Sequence, residues 1–316
     1  MDVTYFFQQL VNGLTLGSLF ALIAVGYTVV YGIIQLINFA HGEIFMIGAF
    51  GALSTWIVVG RAEITAWWML PLMLLGAMVV AVVTALLMER LAYRPLRNAP
   101  RLAPLITAIG ISVFLQEAVR LFYGVIPGFP DAKAAPVFPQ IQGVSGGAFN
   151  LGGVVLQRSA IFTVTALVVC AVFLWLFVNR TRLGRAMQAT SQDPDTARLM
   201  GINVNRIIMV AFALGAALAA VAGVAHGLQY TNIDFRMGFL AGLKAFTAAV
   251  LGGIGNINGA VLGGLLLGLV EVMATAYIPG TFGGSAWKDV WAFALLILVL
   301  VFRPQGLLGA KVVDRA

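Results

Sequence analysis

The chain has 316 residues, of which 61% are hydrophobic and only 10% charged, against roughly 25% charged in soluble domains. That leaves too little polar surface to cover a soluble domain, and the apolar runs of about 20 residues that recur along the chain are the signal of transmembrane helices. The formal net charge of +7 reads as loop bias toward an anionic membrane surface and excludes a nucleic-acid footprint, because no aromatic and basic residues interleave on a polar face.

A porin-like barrel is excluded as well, since short alternating segments are missing. The expected fold is therefore all-α: a polytopic helical membrane bundle of about eight or nine spans, some broken or re-entrant, forming one transmembrane domain over residues 1–316. Cys170 is the single cysteine. It sits in an apolar run, where it serves as a small hydrophobe and forms neither a disulfide nor a thiolate metal site within the chain.

The first ten residues carry no lysine or arginine, so no cleaved signal peptide is expected. The first span is read as Leu10 to Tyr31, with Gly13 and Gly17 as a small-xxx-small packing pair. The next apolar stretch is interrupted by Asn38, His41, Gly42 and Glu43 and runs on to about Val59. A lipid-facing helix does not choose those residues, whereas a break lined by protein or water tolerates them. They read either as a polar break beside a translocation path or as a satisfied turn at the membrane edge.

Arg61 and Glu63 mark a short turn, and Trp67 and Trp68 an interfacial belt at the start of the third span, near Ile64 to Met88. Arg90, Arg94, Arg97 and Arg101 follow, and the positive-inside rule places them in the cytoplasm. The fourth span is about Leu102 to Tyr123, with Glu117 and Arg120 spaced to pair on one face. Residues 124–158 form the main external loop, where Pro127, Pro130, Pro136 and Pro139 exclude a long helix.

The fifth span is Ser159 to Val178. Residues 179–206 are a polar, arginine-rich segment read as cytoplasmic. Within it, Asp193 is suited to cap a short helix from Pro194 to Met200, Pro194 fits the first helical position and Gly201 can stop the helix. So short a helix is unstable alone in water and wants a surface to dock on. The bland alternative is a solvated positive-inside loop.

The sixth span runs from Ile207 to about Gln229. Residues 238–277 exceed one span and are divided by Gly252, Gly253, Gly255, Asn256, Asn258 and Gly259. Gly255, Gly259 and Gly263 recur every four residues, a close-packing signature. If both halves cross, the count is nine with an external N-terminus; if one is re-entrant, it is eight. Glu271 either lines a path or pairs with a basic group on a partner, and Lys244 is read as snorkelling to the interface. The last span is Asp289 to Phe302, followed by a basic, cytoplasmic tail.

There is no P-loop and no H-E-x-x-H in the sequence, and His41 and His226 lack a metal-ligand cluster. A catalytic site would have to come from isolated Glu residues, so no catalytic residues and no metal site are expected, and no ATP binding by a P-loop.

Three stretches carry a resemblance: LINFAHGEIFMIGAF (36–50), GRAMQATSQDPDTARLMGIN (184–203) and FLAGLKAFTAAVLGGIGNINGAVLGGLLLGLVE (239–271). They resemble the branched-chain amino-acid ABC transporter permeases of the LivH type, and the likeness extends over nearly the whole chain. The resemblance implies an inner-membrane subunit that works with a second permease of the LivM type and two ATPases. It also implies a periplasmic amino-acid-binding protein for leucine, isoleucine or valine. Any ATP-Mg would be bound by the ATPases and no cofactor by this chain.

The EAA-x-x-x-G pattern of importer permeases, which enters a groove on the ATPase, is matched by Asp195, Thr196, Ala197 and then Gly201. Asp replaces the Glu, Thr the first Ala, and the later Pro is absent. By this resemblance Asp193, Pro194, Asp195, Ala197, Arg198, Leu199, Met200 and Gly201 couple to the ATPase, and Asn38, His41, Glu43 and Glu271 are candidates for the translocation path. Permeases for urea, amides or another small polar solute, and a secondary transporter, remain as alternatives.

Overall fold

The computed structural model describes residues 3–35, 38–60, 63–97, 99–100 and 102–309. Arg61, Arg101 and the end of the basic tail lie outside these residues. The helices in chain order are α1 (Val3–Ile34), α2 (His41–Gly60), α3 (Met69–Met88), α4 (Leu102–Phe122) and α5 (Arg158–Arg180). They continue as α6 (Arg182–Gln192), α7 (Pro194–Leu199), α8 (Val204–Tyr230), α9 (Met237–Gly252), α10 (Ile257–Tyr277) and α11 (Lys288–Phe302). Among the described residues the one small sheet is an antiparallel hairpin, β1 (Ala148–Leu151) with β2 (Val154–Gln157).

Among the described residues, eight helices are long and apolar enough to cross a membrane, and α9 is a shorter apolar helix. The two halves of residues 238–277 are separate helices, α9 packed beside α10 and joined to it by a tight turn at Gly253 and Gly255. The first helix touches the hairpin through Gln8 and Val155, while Leu307 and Leu308 hydrogen-bond to Leu251 and Gly252 at the other face. The arginine-rich segment after α5 lies on that second face, which the positive-inside rule makes cytoplasmic.

Helix α1 is the hub, buried along most of its length and packed against α10, α8 and α9. Small residues permit the approach. A Cβ on Gly268 of α10 would lie 2.2 Å from the Gly17 backbone nitrogen of α1, and one on Gly17 would lie 2.8 Å from Leu265 Cα. In lipid no hydrophobic force gathers helices, so such close van der Waals contact supplies the association energy. The glycine repeat expected on α10 is corrected in one respect. Gly259 and Gly263 face Gly252 and Ala248 of α9, but Gly255 lies in the turn before the helix with φ +93°. Gly264 and Gly268 make the second seam, against α1.

The outer helices α3, α4, α5 and α11 turn large apolar side chains outward, among them Val83, Phe114, Val169 and Ile297. That is the expected surface in lipid or against another membrane subunit. Helix α3 does not stop at Met88. It passes into a single π-type turn, Glu89–Tyr93, in which the Arg94 N–H donates to the Glu89 carbonyl at 2.8 Å.

Candidate functional site

The arginine-rich segment after α5 holds two helices. The first, α6, was not anticipated, because its sequence is polar and carries no long apolar run. Thr181 caps it by accepting the Gly184 N–H at 3.0 Å, and Met187 and Thr190 mark its buried side.

Asp193 caps α7, accepting the N–H groups of Asp195 at 2.9 Å and Thr196 at 3.1 Å, with Pro194 at the first position. These donors and the Thr196 hydroxyl hold the Asp193 carboxyl below the usual carboxylate range, the hydroxyl being the largest influence. The helix ends one residue earlier than expected, at Leu199. Gly201 takes φ +82°, a left-handed conformation that costs glycine little. Gly201 N–H then reaches the Arg198 carbonyl and Ile202 N–H the Ala197 carbonyl, both at 3.0 Å, which closes the helix C-terminus. Asn203 immediately caps α8.

The side chains of α7 divide by direction. Ala197 is 4% exposed and packs against its own chain, whereas Leu199 is 88% and Met200 78% exposed. Arg198 and Asp195 form a surface ion pair at 2.7 Å. Nearby, Arg97 bonds to the buried Glu89 and, at 2.5 Å, to Asn205 at the start of α8. Partial burial pulls the Arg97 guanidinium below its ordinary value, against the opposing pull of Glu89.

The helix break is built from residues distant in sequence. Gln35 has φ +54°, and α2 starts at His41, packed against Gly26 and Tyr27 of α1. The His41 ring lies 4.6 Å from that of Tyr27, and its Nε2 stands where a Cβ on Gly26 would fall, 2.7 Å away. Asn38 Oδ1 accepts from the Tyr93 hydroxyl at 2.6 Å, so the π-type turn of α3 holds the break. Glu43 Oε1 accepts from Ser112 at 2.9 Å and from Gln116 at 2.7 Å, both on α4. Its Oε2 faces Gly238, where a Cβ would come within 2.3 Å.

Asn38, His41 and Glu43 are all buried inside the protein. The break is thus lined by protein, where irregular backbone is tolerated at membrane depth. Tyr27, Tyr93, Ser112 and Gln116 were invisible as partners in the sequence, since nothing local marks them.

The reading of Lys244 is overturned. It does not snorkel: it is 6% exposed, donates to both carboxylate oxygens of Glu271 at 2.8 and 2.9 Å and lies 2.6 Å from Asp289 Oδ1. Its ammonium also stands 5.4 Å from the Phe20 ring centre. A buried lysine this deep needs its counter-ions, and α10 and α11 supply them. Glu271 pairs within its own chain. The cluster borders a cavity of about 320 Å³ that also touches His226, Tyr230 and Lys288. Two further cavities toward the hairpin, of about 420 and 590 Å³, share Leu16 and Tyr230 with it.

Among the described residues, no group of three His, Cys, Asp or Glu side chains is placed to hold a metal ion. A helical bundle with eight helices long enough to span a membrane, a break between α1 and α2, a charge cluster beside a cavity and a capped helix on its basic face defines a polytopic membrane permease.

Comparison with known proteins makes the family specific. Residues 9–300 match the family described as "Branched-chain amino acid transport system / permease component", and the chain belongs to it. It is 49% identical over 323 aligned positions to the high-affinity branched-chain amino acid transport system permease protein BraD of Pseudomonas aeruginosa, covering 99% of each chain. It is 46% identical to the permease protein LivH of Escherichia coli, covering 98% of each. A partial match, 33% identical over 130 residues and 39% of this chain, is the fructose import permease protein FrcC of Rhizobium meliloti.

Proposed function

We propose that this chain is an inner-membrane permease subunit of an ATP-driven importer for branched-chain amino acids, forming the translocation path with a second, LivM-type permease. Two ATPase subunits bind ATP-Mg and power alternating access, and a periplasmic binding protein delivers leucine, isoleucine or valine.

The observation that carries this reading is α7. It is capped at both ends, anchored through Ala197 and presents Leu199 and Met200 outward. Large exposed apolar side chains on a polar loop suit a groove on a partner. Asp195 and Arg198 flank them as rim charges, which favour orientation over affinity. The segment from Asp193 through Pro194 to Gly201 then acts as a rigid lever between α5 and α8. In this reading Glu271 lines the outer part of the path, and the break at Asn38, His41 and Glu43 flanks it.

The test is a single cysteine at Leu199 in a Cys170→Ser background, crosslinked in membranes that contain all subunits. Capture of an ATPase subunit supports the assignment. ATP-dependent leucine uptake by the purified chain alone in liposomes would reject it. Competition between labelled leucine and urea separates this substrate class from other small polar solutes. Loss of uptake with an ionophore while ATP is maintained would point instead to a secondary transporter.

A further inference from the structure

The Lys244 cluster holds one ammonium against two carboxylates, Glu271 and Asp289, at the floor of the cavity. Lys288 lines the same cavity, so two ammoniums and two carboxylates balance and present charges of both signs at one end of it. Asp289 Oδ1 is partnered by the Lys244 ammonium at 2.6 Å. His226 Nδ1, on the same cavity wall, is buried without a hydrogen-bond partner among the described residues. Buried polar atoms left unpaired are costly unless a ligand or water completes them.

The rest of that cavity is apolar: Leu16, Phe20, Phe45 and Leu240 line it beside the charges. Its size of about 320 Å³ falls at the lower end of small-molecule sites, about 300–1,000 Å³. Charges of both signs next to an aliphatic and aromatic wall match one ligand chemistry, a zwitterionic α-amino acid with a branched apolar side chain.

We infer that this cavity is a transient substrate site on the outer half of the path. The substrate's α-ammonium joins Glu271 and Asp289, its α-carboxylate meets Lys288 beside Lys244, and its side chain lies on the wall formed by Phe20, Phe45 and Leu240. The shared Leu16 and Tyr230 connect the site to the wider cavities toward the hairpin face, which form its approach. This inference rests on the proposed amino-acid import and adds where the substrate is held.

The test uses the assembled permease–ATPase complex in lipid nanodiscs, without binding protein, carrying Ala241→Cys on the cavity wall in a Cys170→Ser background. A charged, membrane-impermeant thiol reagent is applied and the labelling rate read. L-Leucine at millimolar concentration should slow labelling at least about fivefold. 4-Methylpentanoate, which lacks the ammonium, and isoamylamine, which lacks the carboxylate, should not. Glu271→Gln should abolish the protection by leucine.

A double variant, Lys244→Glu with Glu271→Lys, keeps an ion pair and separates a site from a strut. With assembly intact, continued loss of leucine protection and uptake supports the site, and recovery of both overturns it. Absence of leucine protection in the parent, while the complete importer still takes up leucine, overturns the site and leaves the proposed function standing. Protection by urea in place of leucine, with uptake of urea by the complete importer, would remove the proposed function along with it.

Discussion

Replacing Gly268 by alanine tests whether the α1–α10 seam holds the bundle together. The new methyl would stand 2.2 Å from Gly17 N, 2.3 Å from Gly17 Cα and 2.7 Å from the Gly13 carbonyl. All three are backbone atoms of the central helix, so no side chain can rotate away. Non-bonded carbons prefer about 3.5–4.0 Å, and the helices must therefore part by more than 1 Å at this point or tilt. Overpacking of this kind costs about 1–3 kcal/mol, and every 1.4 kcal/mol is about tenfold in an equilibrium.

The control is Gly110→Ala on α4, where nothing lies within 4 Å of the added Cβ. There alanine should help, by up to about 1 kcal/mol of helix propensity. Thermal unfolding of the two variants in the same detergent, followed by tryptophan fluorescence, compares them directly. The order should be Gly268→Ala below the parent and Gly110→Ala at or above it. If Gly268→Ala unfolds at the parent temperature, close backbone contact at this seam is not what joins α1 to α10.

Four further outcomes follow from the site geometry. Tyr93→Phe leaves the buried Asn38 carbonyl oxygen without its donor, and should cost about 1–3 kcal/mol in the same unfolding assay. Lys244→Met strands two carboxylates at the cavity floor and should cost about 3–5 kcal/mol; Glu271→Gln, which leaves Asp289 to balance the lysine, should cost less. Leu199→Asp changes a side chain that is 88% exposed, so unfolding should move by no more than about 0.5 kcal/mol while ATP-driven uptake falls sharply.

Asp193→Ala removes the cap of α7 and should speed amide exchange at Asp195 and Thr196 several-fold. Because the Asp193 carboxyl is held down in the folded protein, its contribution is present above its unfolded value near pH 4. It is lost only as the pH falls through the lower folded value. Exchange protection of α7 in the parent should therefore be flat from about pH 8 to 5 and decline below about pH 4, and the Asp193→Ala variant should lack that decline.

Most of the architecture was legible in the chain, because a membrane span is a local property. A run of apolar residues must bury its own backbone hydrogen bonds, and helix geometry does this without reference to the rest of the protein. The caps at Asp193 and Pro194 and the stop at Gly201 were legible for the same reason, since each acts within one turn. Span ends were less so: α1 begins at Val3 and ends at Ile34, because its polar outer residues bond to the hairpin and its last turn packs on neighbours. The polar helix α6 had no local mark strong enough to announce it.

The tertiary structure alone decided which distant residues meet. Glu43 finds Ser112 and Gln116, Tyr93 finds Asn38, and Lys244 finds Glu271 and Asp289. It also decided that Gly264 and Gly268 face α1 while Gly259 and Gly263 face α9. Such pairings depend on how each helix is rotated and where it crosses its neighbours. A uniformly apolar helix carries almost no amphipathic stripe to specify that rotation, so only the packing of the whole bundle could set it.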